Sequence, residues 1–316
     1  AKETDTDSPI GGVGGAVHAD PFTGMATTSI PIDVVPGRNG VQPNLALTYA
    51  SAGGNGWVGM GWKLEVGAIE RQTRWGVPYL PTASDEQAGR VYTIRVNGVS
   101  ADLVPAPSPA SSDEYRAKIE GGFLRVKKLS GGSAGWEVTD KTGKKYLFGT
   151  TSSTRMSDPA DATRIFKWCL ERVEDRDGNF MTVAYAGDQG QAYLDHIDYT
   201  GNGATAPTNT VKFYLENRSD APAMYIGNYL IKTAKRLKTI EVRANSALVR
   251  AYALTYSQST STSNSILVSI QQTGKDALID ASGAVSGGSV LPAITMGVSS
   301  ALSNFSNATW SSFGSG

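Results

Sequence analysis

The sequence predicts an all-β protein, an extended and mostly antiparallel β-sheet module with few short helices. Three observations predict it. Apolar and polar residues alternate along segment after segment, the period of a strand with one buried face. Tight-turn signatures separate those segments: Asn97-Gly98, Thr142-Gly143, Asp177-Gly178-Asn179 and Asn202-Gly203. Helical periodicity is scarce, so strands follow one another at roughly 8–12-residue spacing with no helix to carry a parallel crossover.

In chain order, TSIPIDV (28–34) alternates Ile30, Ile32 and Val34, and LALTY (45–49) alternates Leu45, Leu47 and Tyr49. Further strands are expected at 91–96, 123–129, 135–140, 144–149, 181–185, 194–199, 211–215, 238–244, 248–256 and 266–272, with a last one in LPAITMGV (291–298). RIFKWCLERVED (164–175) fits strand or helix, and YLIKTAKRLKTI (229–240) is the best short-helix candidate. Loops are expected at the proline- and serine-rich 103–115, at 201–210 and at 259–265, and a mobile excursion at 277–290. Residues 1–19 read as an exposed leader, 20–298 as the β domain with a sub-boundary at 103–115, and 299–316 as a tail leading into a longer precursor.

Composition narrows the function classes. Lys plus Arg and Asp plus Glu stand at 29 each, so no net field favours nucleic acid or an anionic surface. One cysteine, Cys169, excludes an internal disulfide framework and any multi-cysteine metal site, and reads as a small buried hydrophobe. No run of about 18 apolar residues is present to span a membrane as a helix. Little cysteine with abundant Thr, Ser, Gly and Asn fits a bacterial secreted or surface protein.

The stretch GGNGWVGMGWKL (53–64) contains a literal G-x-G-x-x-G, Gly54 to Gly59. A dinucleotide loop needs a helix after it, whose N-terminus meets the pyrophosphate. Here another alternating segment follows (Trp62, Leu64, Val66), and the H-R-D and D-F-G partners of a kinase loop are missing. The expectation is therefore a tight strand–turn–strand corner with at least one of Trp57 and Trp62 buried, and no nucleotide site.

Residues 22–71, FTGMATTSIPIDVVPGRNGVQPNLALTYASAGGNGWVGMGWKLEVGAIER, closely resemble the opening of the Salmonella virulence plasmid B protein family, a region shared with the B component of insecticidal toxin complexes and with Rhs/YD-repeat proteins. KWCLERVEDRDGNFMTVAYAGDQGQAYLDHIDYTGN (167–202) and residues 229–274 fit later blocks of the same pattern, in order. The resemblance implies the first part of a hollow β-sheet shell that encloses a C-terminal effector, with a propeller inserted after the module. The calcium repeats of that propeller and an ADP-ribosyltransferase effector are not found in these residues, so the chain is expected to carry scaffold without catalyst.

The remaining constellations read as structure. Asp175, Asp177 and Asn179 share the first spacings of an EF-hand loop, but the glycine comes too early and no glutamate closes it, so a hairpin turn is expected. His196 and Asp198 share a strand face, with Asp195 pointing the opposite way, and no nucleophile or further ligand lies near. His18 lies in the leader and no G-x-S-x-G elbow exists. Asp85 with Glu86, and Asp113 with Glu114, read as solvated loop carboxylates. A glycosidase pair assembled from distant carboxylates stays open. The basic run Lys232, Lys235, Arg236, Lys238, Arg243 lacks interleaved aromatics and reads as a solvated or interfacial face.

The expected function is a non-enzymatic structural module of a secreted Rhs or toxin-complex-like protein, with no catalytic, cofactor or metal residues. Its partners would be the rest of the precursor or copies of itself through unpaired sheet edges, and a protein toxin. A carbohydrate- or cell-surface-binding module is the alternative, requiring an exposed aromatic among Trp57, Trp75, Trp136 and Tyr79; a self-assembling fibre subunit is a second. An enzyme would require His196 and Asp198 to face a cavity with a third polar group.

Overall fold

The structure is a computed structural model that describes residues 18–19, 24–76, 82–107, 113–130, 135–226 and 229–296. The expected leader, apart from His18 and Ala19, and the tail at 299–316 lie outside them, as do Tyr79 and Trp310.

Short N-terminal strands β1 (His18–Ala19), β2 (Ala26–Ile32) and β3 (Leu45–Ala50) form an antiparallel sheet. The chain then turns through β4 (Asn55–Gly56) and β5 (Gly59–Met60) into β6 (Trp62–Lys63), which returns to pair with β3. The inward residues are the ones the alternation picks out: Ile30, Ile32, Leu45 and Leu47 are all at most 3% exposed.

β7 (Ala68–Arg71) opens the main sheet. A single helical turn, α1 (Ala83–Gln87), follows, closed by a capping box in which Thr82 and Asp85 satisfy each other's backbone amides. Asp85 and Glu86 therefore sit on a helix end rather than in a loop. Six strands then run up and down: β8 (Tyr92–Val96), β9 (Val99–Pro105), β10 (Glu114–Ala117), β11 (Arg125–Lys128), β12 (Trp136–Thr139) and β13 (Lys145–Phe148). The proline- and serine-rich loop is thus shorter than expected. Val99–Pro105 continues as strand because Leu103 is an inward core residue opposite Tyr92.

β14 (Arg155–Asp158) leads into β15 (Asp161–Glu174), which settles the ambiguous RIFKWCLERVED as a long strand. One edge of β15 pairs with β14 and β13. Its other edge pairs with β7 through Lys167–Cys169, and then, through Arg172–Glu174, with β16 (Asn179–Asp188). Because β15 joins both β7 and β13, the eight strands β7 to β13 and β15 close into a barrel. The sheet was expected to stay open, and this half of it does not.

The barrel is filled by aromatic rings. Tyr92, Tyr115, Trp136 and Trp168 pack edge to face with centroids 4.9 to 5.9 Å apart. Each such contact contributes about 0.5–1.5 kcal/mol beyond the buried area.

Beyond β16 the sheet continues as an open arm: β17 (Gln191–Asn202) and β18 (Asn209–Asn217), then, after the hairpin β19 (Ala223–Ile226) and β20 (Tyr229–Lys232), β21 (Lys235–Ala244), β22 (Ala247–Gln258) and β23 (Ser265–Thr273). The expected helix at 229–240 is two strands. Tyr229 and Ile231 alternate into a small cluster with Met156, while Leu237, Ile240 and Val242 face the main core, so each half buries a strand face.

The 277–290 segment is not an excursion. Its hairpin, β24 (Leu278–Ile279) with β25 (Val285–Ser286), is tied to the arm where buried Thr239 Oγ1 donates to the Gly283 carbonyl at 2.7 Å. β26 (Ile294–Thr295) ends the arm, and among the described residues it pairs only with β23. The N-terminal segment lies across this arm: Asp33 N donates to the Tyr252 hydroxyl at 3.0 Å, and Leu237 N donates to the Trp57 carbonyl at 2.8 Å.

Candidate functional site

The glycine corner is where the N-terminal segment meets the arm, and its glycines are there for close approach. Gly59 has φ +92°, and a Cβ on it would lie 2.9 Å from the Ser265 carbonyl oxygen. Gly61 has φ +77°, and a Cβ there would overlap the Tyr49 ring. Trp62 is 4% exposed and lies 5.3 Å from Tyr49, while half-buried Trp57 meets Tyr193 edge-on at 6.2 Å. This is the expected corner with a buried indole. Three of its amides bond within the corner: Gly53 N donates to the Ala50 carbonyl, and Gly56 N and Gly61 N both donate to the Gly54 carbonyl. β5 and β6 follow, where a dinucleotide loop would run into a helix.

Asn55, the polar residue inside that motif, is the hub the sequence did not reveal. Its Nδ2 donates to Asp220 Oδ2 at 3.0 Å, and its Oδ1 accepts from Arg218 Nη2. Arg218 Nη1 donates to the Gly56 carbonyl at 2.6 Å, and Arg218 also grips both oxygens of Asp220. Ser265 donates its amide and its hydroxyl to the same carboxylate. The ion pair is enclosed, with side-chain exposures of 0% for Arg218 and 5% for Asp220. Burial opposes ionisation of Asp220, but the hydrogen bonds from Arg218, Ser265 and Asn55 outweigh it and hold the carboxyl far below the usual carboxylate range. In sequence Asn217-Arg218-Ser219-Asp220 reads as a polar loop, and only the bulk it packs under distinguishes it.

His196 lies on the half-exposed outer face of the arm. Its Nδ1 is 2.6 Å from Asp195 Oδ2, and its Nε2 is 3.6 Å from Asp198 Oδ2. Asp195 was expected on the opposite face. A β-bulge places Ala184 opposite His196 and Tyr185 opposite Leu194, so Asp195 is the extra residue and turns towards the imidazole. Lys212 Nζ donates to Asp195 Oδ1 at 3.1 Å, and Thr210 donates to Asp198 at 2.7 Å. Burial of the Asp195 carboxyl is outweighed by its bonds from His196 and Lys212, which hold it below the usual range. The cluster is a polar ladder along a sheet face.

Asp175, Asp177 and Asn179 form the expected hairpin turn: Asp175 Oδ1 accepts from the amides of Asp177 and Asn179, both at 2.9 Å. Asn39 Nδ2 reaches Asp175 and Asp177 from the N-terminal segment. The open cleft beside this turn, about 320 Å³, is lined by Asn39, Thr142, Lys144, Asp175, Arg176 and Asp177. Among the described residues no three His, Cys, Asp or Glu side chains gather as metal ligands. The basic run is dispersed along two strands, Arg236 donating to Glu216 and Ser265 and Arg243 to Glu241. Cys169 is free and buried, and burial pushes its thiol up. Of the aromatics proposed for a ligand platform, Trp136 is fully buried and Trp57 half-buried, while Trp75 is 56% exposed.

Comparison with known families matches residues 20–219 to the Salmonella virulence plasmid 65kDa B protein family. The chain belongs to that family. A curated member, the mono(ADP-ribosyl)transferase SpvB of Salmonella typhimurium, is 29% identical over 222 residues, covering 64% of this chain and 36% of the relative. The chain thus spans about a third of that relative's length. Among solved structures, the N-terminal domain of effector protein SpvB from Salmonella typhimurium strain LT2 superposes with a TM-score of 0.63 at 20% identity, over 77% of this chain and 99% of that one. The TcdB2-TccC3 crystal structure gives a TM-score of 0.71 at 20% identity, over 93% of this chain and 17% of that chain. The family match stops at residue 219, whereas the shared fold takes in nearly the whole of this chain.

Proposed function

We propose that this chain is a non-enzymatic scaffold module, a piece of β-sheet wall in a secreted virulence factor or toxin-complex-like assembly. One observation carries this reading: a closed, side-chain-filled barrel runs without a break into an open arm whose last strand pairs on one edge only among the described residues. Among the described residues the barrel interior is occupied by packed aromatic rings, and the open edge offers backbone groups to a further strand. The corresponding fold occupies 17% of a TcdB2-TccC3 chain, which supports a role as one part of a longer polypeptide. Its likeness to the N-terminal domain of an effector protein supports a location outside the bacterium. ADP-ribosyl transfer, named for SpvB, belongs on this reading to the portion of SpvB that the chain does not match. No described helix is long and apolar enough to cross a membrane.

Hydrogen exchange with sedimentation velocity tests the proposal. At low concentration the amides of 290–296 should exchange far faster than those of the barrel strands, and association with further chain should protect them. A chain that stays monomeric at every concentration, with that edge as protected as the barrel, overturns the scaffold reading. Transfer of labelled ADP-ribose from NAD by the purified chain overturns the non-enzymatic part.

A further inference from the structure

We propose that Trp75, with Arg74 and Arg90, forms a binding subsite for an anionic saccharide, a sugar residue carrying a carboxylate or a sulfate. The indole is 56% exposed yet rigidly held. Its Nε1 donates to Gln72 Oε1 at 2.9 Å, and Gln72 is itself buried. Gln72 Nε2 in turn donates to the carbonyls of Gly89 and Tyr92 and to Asp102 Oδ1, at 3.0 to 3.1 Å. Its backbone amide donates to Val91 at 2.9 Å. One glutamine therefore braces both segments that carry the site, Arg74-Trp75 on one side and Gly89-Arg90 on the other. An exposed aromatic fixed in advance by a buried polar side chain loses little freedom on binding.

Two guanidiniums stand over the ring, Arg90 at 4.9 Å and Arg74 at 5.4 Å from its centroid. Their partners differ. Arg74 is held by Asp102 at 2.5 Å and by Gln72 Oε1 at 3.0 Å, so it positions the stack. Among the described residues the one ion pair of Arg90 is a loose contact with Asp85 at 3.8 Å, and its side chain is 47% exposed, which turns its donors towards an anion. A planar guanidinium pairs with a carboxylate or sulfate, and an aromatic ring packs on the C–H face of a pyranose. Both requirements meet in one ligand class. The site is independent of the scaffold reading, since it lies on the barrel and away from the open edge.

The experiment titrates the purified chain with oligogalacturonate (carboxylates), heparin-derived oligosaccharide (sulfates), maltohexaose (neutral) and poly-glutamate, reading affinity by calorimetry. Saturable binding of either anionic saccharide is expected, weakening with salt and absent for maltohexaose. Trp75→Ala and Arg90→Gln should each weaken it by about tenfold or more, while Trp75→Phe, which keeps a ring but loses the bond to Gln72, should fall between the parent and Trp75→Ala. Thermal unfolding of each variant, close to that of the parent, establishes that the fold is intact. The proposal is overturned if neither anionic saccharide binds, if maltohexaose binds equally well, or if folded Trp75→Ala binds like the parent. Poly-glutamate binding as tightly would overturn the saccharide assignment in favour of an acidic peptide.

Discussion

Asn55 has two jobs at once. Its backbone makes the β4 turn, and its side chain joins Arg218 and Asp220 under the arm. Removing one partner of an enclosed pair leaves the other charge unpaired, so Asp220→Asn should cost about 3–5 kcal/mol, read as a lowered urea midpoint. Gly59→Val should cost roughly 1–3 kcal/mol through backbone strain, with the Ser265 carbonyl in its way, and the parent should show no saturable ATP or NAD binding. The pH dependence follows from the same carboxylate. Its folded pKa lies below the unfolded one, so its contribution is complete above about pH 4 and is lost as pH falls towards the folded value. Glu171, whose burial is outweighed by bonds from Thr150, Thr154 and Thr151, acts in the same direction. Urea midpoints should therefore hold above about pH 4, where unfolded carboxylates are ionised, and fall progressively below it, and Asp220→Asn should flatten that slope. At this scale the sequence was half legible. Glycine and tryptophan announced the corner, but Arg218 and Asp220 look like any loop charges until something is packed over them.

The strands were the legible elements, because a strand with one wet face writes its period into the side chains. What misled were segments whose burial comes from a neighbour. Thr239 is buried although it lies on a polar run, because the β24–β25 hairpin covers it. That hairpin reads as small and polar, and Gly283 at φ +75° sits where a Cβ would overlap the Tyr214 ring. Thr239→Val keeps the shape but leaves the Gly283 carbonyl without its donor. It should cost about 1–3 kcal/mol and speed hydrogen exchange at 278–286 while leaving the barrel unchanged. Equal acceleration across barrel and hairpin would mean that the hairpin is not a separate unit. The Asp195 bulge was hidden for a similar reason: one extra residue in a strand is set by its partner's register, which a single segment does not record.

For the whole molecule, family and fold class were readable from ordered motifs, whereas barrel closure was not. Closure depends on β15 pairing along both edges, a property of one long strand that alternation alone cannot express. The aromatic filling ties strands from around the barrel to one another. Trp168→Ala should cost about 3–5 kcal/mol and lower the near-ultraviolet circular dichroism signal, while Leu267→Ala in the arm should chiefly loosen β22 to β26. The shared strand also has a mechanical consequence. A pull applied at Met296 against Ala68 meets the arm as a row of seams, each able to unzip before the next is loaded. Once the bonds between the N-terminal segment and the arm have parted, the pull reaches the barrel through β15, where a closed ring has no free seam to start from. A force–extension trace should show several small rips followed by one larger rupture, so the arm would act as the yielding part of a joint whose rigid half outlasts it.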